Sequence, residues 1–386
     1  MGGSAMKKSV FTVFGIILSI AIAFCFIGCE GSSDSSSGPV DRFTILDLQG
    51  TWAIHGVNTG LTLGTNRGGY YGAMTMTTSG NIDPLVSYIY FPPLLGFPVL
   101  SGSIAIDEAG MLAGTIGTNR SFSFFIESGL MDISKNSMLY IDYTNHATTE
   151  YDLAVLIKEG GIFFATDIYG DWHMFGLVTN SANSGAIYGD MTITAAGVQN
   201  GGSFVQNGTS STITGGSISI NAATGYTSLG SDIITNTLGT WTISSGKLDQ
   251  SKTFGAFTSA SSNGVDIDFI VMFKTASLLS DSDLAGTWYI HGATGGRATN
   301  GTISGTIILA SDGTVTGGSI TLPGDSERDI DSGSLSVTAA GSLTGSFTLS
   351  TLETISITAG KGRMDQSRKK IAFVDGTNQR LYILFK

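Results

Sequence analysis

Asp47-Leu48-Gln49-Gly50-Thr51-Trp52-Ala53-Ile54-His55-Gly56, Asp167-Ile168-Tyr169-Gly170-Asp171-Trp172-His173-Met174-Phe175-Gly176 and Asp283-Leu284-Ala285-Gly286-Thr287-Trp288-Tyr289-Ile290-His291-Gly292 are three writings of one phrase. In each, an acid and an aliphatic residue lead to a glycine and then to a tryptophan that opens an alternating run. Trp172 lies 120 positions after Trp52, and Trp288 lies 116 after Trp172. A fixed period of that size marks tandem copies of one domain.

Other landmarks keep step. A strand leads to Gly80, Gly197 and Gly313; a Gly-Ser-aliphatic strand begins at Gly102, Gly216 and Gly333; and Met131-Asp132-Ile133-Ser134, Leu248-Asp249-Gln250-Ser251 and Met364-Asp365-Gln366-Ser367 mark a hairpin. Each copy closes on an apolar strand that ends at Lys158, Lys274 or Lys386. Short strands joined by Gly, Asn and Asp turns predict an all-β chain of three tandem antiparallel up-and-down meanders, each of about seven or eight strands. A meander must hide its edges, and pairing the first strand with the last into a barrel does so at this size. The expected division is 1–28 for an export signal, 29–43 for an anchor and tether, and 44–160, 161–278 and 279–386 for the three barrels.

Composition narrows the function. With 54 Gly, 6 Pro and 13% charged residues, the chain does not resemble a helical or α/β enzyme, yet 41% hydrophobic residues are enough for several small cores. A formal net charge of −11 argues against nucleic acid, which needs a basic footprint. Both cysteines, Cys25 and Cys29, precede the repeats, so the repeats have no disulfide, thiolate metal site or cysteine nucleophile.

Lys7 and Lys8 are followed by an apolar run from Val10 to Ile27 and then by a Gly/Ser tract, the layout of an export signal. Its junction, Phe26-Ile27-Gly28-Cys29, resembles the lipobox of bacterial lipoproteins. That resemblance implies that Cys29 is the lipidated first residue of the mature protein. Glu30 follows, where inner-membrane retention would call for Asp, so the analogy implies the outer membrane, facing periplasm or exterior. The tether after it cannot bury a core.

The opening Gly-x-Trp, in a meander of this length, is similar to the lipocalin-type barrels, and more loosely to the avidins. In lipocalins the tryptophan closes the barrel floor under a basic residue from the last strand. The resemblance implies that role for Trp52, Trp172 and Trp288 and for Lys158, Lys274 and Lys386. It covers each repeat mainly at its two ends.

Alternation places Trp52 and Ile54 on one strand face and His55 on the other, so His55, Phe175 and His291 point away from the barrel interior. Two histidines and a phenylalanine make no ligand set, and the three repeated acids of the phrase and the three of the hairpin read as turn residues. The acidic loop Asp325 to Asp331 lacks the pivot glycine of a calcium loop. No metal, cofactor or catalytic motif is expected.

One stretch breaks the triplication. Pro84 to Leu100 has four of the six prolines and is strongly apolar, where the other copies have Ser, Thr and Asn. Such a loop should not lie bare in water. It is expected either to fold over a barrel mouth or inter-domain seam, or to meet a ligand, partner or membrane through Tyr88, Tyr90, Phe91, Leu94, Leu95 and Phe97. The sequence thus predicts a lipid-anchored envelope protein with a non-catalytic binding or surface role, its targets an apolar small molecule, a glycan or an envelope protein. The alternatives are a spacer with solid barrel cores and, further off, a hydrolase, which would need a cleft uniting His, Asp and Ser from one repeat.

Overall fold

A computed structural model describes residues 42–59, 68–91, 96–118, 123–144, 150–179, 184–227, 232–237, 239–261, 267–295, 301–375 and 377–386. The segments expected as export signal and tether, with Cys29, lie outside the described residues apart from Arg42 and Phe43.

The first barrel contains β1 (Gly50–Asn58), β2 (Gly68–Met76), β3 (Tyr88–Tyr90), β4 (Gly96–Ile106), β5 (Leu112–Thr118), β6 (Ser123–Met131), β7 (Ser137–Thr144) and β8 (Glu150–Lys158). The second contains β9 (Gly170–Thr179), β10 (Gly185–Ile193), β11 (Gln199–Gln206), β12 (Thr209–Ser217), β13 (Ile233–Asn236), β14 (Gly239–Leu248), β15 (Phe254–Ser261) and β16 (Ile267–Lys274). The third sheet contains β17 (Gly286–Thr294), β18 (Thr302–Leu309), β19 (Val315–Thr321), β20 (Arg328–Val337), β21 (Leu343–Leu349), β22 (Thr354–Ile357), β23 (Gly362–Met364), β24 (Lys370–Asp375) and β25 (Arg380–Phe385). The first two are closed eight-stranded antiparallel barrels, and the third is a nearly closed sheet of nine strands, one more than the other copies have.

The ninth strand comes from a bulge that opened into a turn. The ladder register slips between Ile126 and Ser128 in β6 and between Ile243 and Ser245 in β14. At the corresponding place in the third copy, Lys361 N–H bonds Thr358 C=O and Gly360 takes φ +81°, so one strand becomes β22 and β23. Bulges bend a strand at such corners, and a turn bends it further.

First and last strands pair in all three sheets: Trp52 lies opposite Lys158, Trp172 opposite Lys274, and Tyr289 opposite Phe385. Before each Trp a 3-10 turn, Ile45–Leu48, Ala165–Ile168 or Asp281–Leu284, plugs the barrel end. The indole N–H donates to the carbonyl four residues back, Leu48, Ile168 or Leu284, at 2.7 Å each time. The closing lysine lies 5.1, 5.6 and 5.2 Å from the ring centroid of Trp52, Trp172 and Trp288. Its ammonium donates to the carbonyl of Asp47, Asp167 or Asp283. A turn end with orphan carbonyls is thereby capped by a cation that also faces an aromatic ring. The phrase's first glycine is required: Gly50, Gly170 and Gly286 have φ near +116°, a strained value for any side chain.

The carboxylate that opens each phrase accepts the backbone N–H of Thr44, Phe164 or Ser280. It also pairs with a cation from the hairpin: Lys135 with Asp47 at 3.0 Å, Lys252 with Asp167 at 2.8 Å, and Arg368 with Asp283 at 3.2 Å. All three cations have φ near +60°.

The outer faces of the sheets pack on one another around a ring. Val57, Leu139, Leu153 and Val155 of the first barrel, Phe254, Phe269, Val271 and Phe273 of the second, and Val374, Leu381, Ile383 and Phe385 of the third share one apolar cluster. His55 Nδ1 reaches Thr258 Oγ1 of the second barrel (3.4 Å), Ala186 N–H donates to Gln379 Oε1 of the third sheet (2.7 Å), and Ser128 of the first barrel bonds His291 Nε2 (3.0 Å). Both histidines point out of their barrels and are nevertheless buried.

Where the three sheets meet, the hairpin acids converge. Lys370 is buried beside Asp132 at 2.8 Å and Asp249 at 3.2 Å, with Asp365 of its own hairpin adding to the local charge. Burial alone would lower the lysine, but the three carboxylates raise it well above its ordinary value. Each acid also holds its own turn: Asp132 Oδ1 accepts the N–H groups of Asn136 and Ser137, and Asp365 Oδ1 those of Lys369 and Lys370. The equivalents of Lys370 are Ser137 and Phe254, so a single cation serves all three copies.

Removing that cation leaves buried carboxylates unpaired. Lys370→Met should lower stability by about 3–5 kcal/mol in urea unfolding of the whole chain, with Asp132→Asn and Asp249→Asn restoring part of the loss. Acid sensitivity follows from the seam histidines. Burial, helped by Lys247, pushes His55 down to about 3, and burial pushes His291 down to about 4, from an ordinary 6.5. Between those values and 6.5 the unfolded chain binds protons that the folded chain refuses. Stability is therefore full above about pH 7 and falls as pH drops toward 4, by roughly 3 kcal/mol per histidine. His291→Phe, which copies Phe175 at the equivalent position, should flatten that fall in midpoints measured across pH.

Candidate functional site

Among the described residues of the apolar stretch peculiar to the first copy, Pro84 to Val86 form an exposed turn, while Tyr88–Tyr90 are β3 and Gly96 to Leu100 begin β4. Strand parity sorts the side chains of the strands. Ile89, Phe91, Phe97 and Val99 turn inward and join the core of the first barrel, with Phe91 5.0 Å from the ring of Tyr70. Tyr88 and Tyr90 turn outward, and Tyr88 is 47% exposed. Leu94 and Leu95 lie outside the described residues. Of the six aromatic and aliphatic candidates, two are therefore core and two reach the exterior.

Tyr88 opens onto a cleft of about 530 Å³ at the seam between the first and second barrels. Tyr71, Ala73 and Glu159 form one side together with Tyr88; Asn221, Thr224, Tyr226 and Ser245 form the other. On the first side, Tyr71 pairs across the ladder with Tyr90, their rings 5.1 Å apart, and Ala73 pairs with Tyr88. Gly72 lies between them, where a Cβ would stand 2.1 Å from the Tyr88 carbonyl oxygen, so only glycine lets β3 approach this closely.

The two barrels are bonded across the cleft. Tyr226 O–H donates to Glu159 Oε1 at 2.7 Å. Burial, and then that carboxylate, raise the phenol of Tyr226 far above its ordinary value, and burial and Glu159 raise Tyr88 as well. Lys247 lies behind, its ammonium 4.4 Å from the ring of Phe163 and 5.2 Å from that of Tyr226, donating to the Thr224 carbonyl. Burial pushes it down to about 8, against the pull of Glu159 and Asp249. The cleft offers aromatic faces, one carboxylate, an amide and hydroxyls. Its size is that of a small-ligand site.

The next seam, between the second barrel and the third sheet, has an equivalent cleft of about 340 Å³. Here Arg363 takes the place of Lys247, and Leu130 holds it in the first copy. His173 Nδ1 is 2.9 Å from Asp190 Oδ1, and its Nε2 is 3.1 Å from Thr275 Oγ1. Burial brings Arg363 down to about 10, opposed by Asp190. Among the described residues no three His, Cys, Asp or Glu side chains gather as a metal site.

Tyr71, Glu159, Tyr226 and Lys247 belong to parts of the sequence that gave no sign of a site. Their signal lies in comparing copies: Tyr226 corresponds to Met111 and Ser342, and Lys247 to Leu130 and Arg363.

Comparison with known proteins adds little. No family model matches the chain, and no curated protein matches it. Solved structures similar to it include a protein of unknown function from the DUF3598 family of Nostoc punctiforme, at 11% identity and a TM-score of 0.22, covering 60% of this chain and 97% of that one. Transferrin-binding protein B from Haemophilus parasuis is similar at 8% identity and a TM-score of 0.25, and that from Neisseria meningitidis at 10% and 0.24, each covering 87% of this chain and 75% of that one.

An amine with its midpoint near pH 8 should be separable from surface lysines. In lysine-detected NMR of the dimethylated protein one resonance is expected to titrate near pH 8, about two units below the ordinary lysine value, and to vanish in Lys247→Met; a Lys247 resonance that titrates at the ordinary value would contradict the burial of this amine.

Proposed function

We propose that the protein is a lipid-anchored component of the bacterial cell envelope whose barrels bind a glycan, without chemistry, at the cleft between the first and second. The carrying observation is the cleft itself, where Tyr71, Tyr88 and Tyr226 surround Glu159. Tyrosine rings present flat apolar faces suited to the C–H faces of a sugar ring, and the hydroxyls of Tyr71 and Tyr88 can bond its hydroxyl groups, while that of Tyr226 is held by Glu159. A carboxylate and the amide of Asn221 suit vicinal hydroxyl groups, and bonds to an ionised acceptor are the stronger kind.

The anchor rests on the lipobox-like junction at Cys29. Outer-membrane placement, facing periplasm or exterior, rests on Glu30. The likeness to lipocalins is kept for the floor, where Trp lies beneath a closing lysine, and the ligand is moved from the barrel interior to the seam. Large side chains occupy the described interior: Trp52, Tyr70, Tyr140 and Phe124 are fully buried in the first barrel.

A hydrolytic reading has one observation in its favour. His173 stands between Asp190 and Thr275, all from one repeat, an order that supports proton transfer from a hydroxyl. Against it, Asp190 is mostly in water, where it holds the imidazole weakly.

A glycan array probed with the purified chain tests the proposal. Binding to at least one polysaccharide of the envelope is expected, with Tyr88→Ala weakening it tenfold or more and Thr275→Ala leaving it unchanged. Failure to bind any glycan, or binding indifferent to Tyr88, would overturn it. Ester cleavage abolished in Thr275→Ala would instead establish the hydrolytic reading.

A further inference from the structure

The barrel ends plugged by the tryptophans carry exposed apolar side chains that the fold does not use. In each copy one residue just before the buried anchor of the 3-10 turn points outward. The anchors are Phe43, Phe163 and Leu279; the preceding residues are Arg42, Ile162 and Leu278. Ile162 is 75% exposed and Leu278 83%, and Leu278 is held with φ at +62°. Around them Leu46, Ile133 and Phe164 are exposed too, all in the 3-10 turns, hairpins and linkers of that same end.

We infer that this closed face rests on the surface of a lipid bilayer. Two observations select lipid over a protein partner. First, Arg42, the third member of the equivalent set, is where the chain enters from the anchor. The segment from Glu30 to Asp41 spans at most about 40 Å when extended, so a lipid on Cys29 keeps the face close to the membrane. Second, the apolar positions are interleaved with long cationic side chains, Lys135, Lys252 and Arg368, on the hairpins of the same end. Each of these cations is paired with Asp47, Asp167 or Asp283, so the rim of the face carries balanced charge beside its aliphatics, and Lys252 lies 5.2 Å from the exposed Phe164 ring, an arrangement that fits the headgroup boundary. Three contacts from three equivalent copies define a plane, so the body would stand upright with its opposite ends directed away from the bilayer.

The inference rests on the lipid anchor, and the experiment separates the two. Because the repeats have no cysteine, Ile162→Cys, Leu278→Cys and Leu352→Cys each give one labelling site in the full lipidated chain. Leu352, 85% exposed in the turn between β21 and β22, is an equally bare aliphatic at the opposite end. Each variant receives an environment-sensitive fluorophore and is reconstituted into phosphatidylethanolamine and phosphatidylglycerol vesicles, with and without brominated acyl chains. Emission from positions 162 and 278 should shift to the blue and be quenched several-fold more than from 352. Flotation of wild type but not of Cys29→Ala, together with equal water exposure at all three positions, would overturn the face assignment and leave the anchor standing. Wild type that fails to float would remove the anchor and the inference with it. Probes at 162 and 278 already shielded without vesicles would overturn the inference in favour of a protein contact.

Discussion

Each barrel depends on pairing its first strand with its last, and the tryptophan phrase is the place where that pairing is fixed. Trp52 and Trp172 lie opposite the lysine that ends their barrel. The indole N–H is satisfied by a carbonyl of the plugging turn, and the lysine caps another carbonyl of that turn. One contact therefore sets the register of closure, seals the end and satisfies groups that burial would otherwise leave unbonded. A slip of one residue would turn the Trp out of the core and uncouple all three.

Closure solves the edge problem but leaves the outer faces to be covered. These barrels cover one another. The final strands run Leu153-Ala154-Val155-Leu156-Ile157, Phe269-Ile270-Val271-Met272-Phe273 and Leu381-Tyr382-Ile383-Leu384-Phe385, with every position buried. Such strands have core on one side and a neighbouring barrel on the other, as the strands of a parallel sheet have helices on both faces. The polar groups carried into the seam then need partners. Histidine meets threonine or serine, and the three hairpin acids share Lys370. That cluster is a weak source of stability for its burial, and it gives orientation: only one rotation of the copies brings one lysine to three acids.

The same physics decides what could be read beforehand. The period, the all-β class and the closure of first strand on last are written in residues that every copy must keep, so the sequence displayed them three times. The mutual burial of the barrels left a fainter trace, the unbroken apolar run of each last strand where a strand wet on one face would alternate. Within Pro84 to Leu100 the described residues divide between a turn at Pro84 to Val86 and the strands β3 and β4, a division that prolines in a long apolar run obscure. β3 has only three residues, and Pro98, which has no N–H to give, faces outward opposite Tyr88. The cleft was illegible, since its tyrosines and its carboxylate come from two copies and meet only when the barrels pack. The ninth strand of the third sheet likewise follows from how far a shared bulge opens.

Divergence among equivalent positions distinguishes the seams better than any single motif. At the turn that each copy presents to its neighbour, the first has Met111 and Leu130, the second Tyr226 and Lys247, and the third Ser342 and Arg363. Packing alone would favour the apolar pair everywhere, because a buried ammonium or guanidinium costs desolvation that methylenes do not. Two of the three seams carry that cost, and both open as clefts to solvent beside a carboxylate, Glu159 or Asp190. The seam with the leucine has no such charge to solvate. Cations held at depressed affinity for their protons, next to acids and at the edge of water, are poor glue and suitable lining for a ligand site. The repeats thus divide their labour by position: the interiors and the common junction hold the body together, while the first and second seams are free to vary.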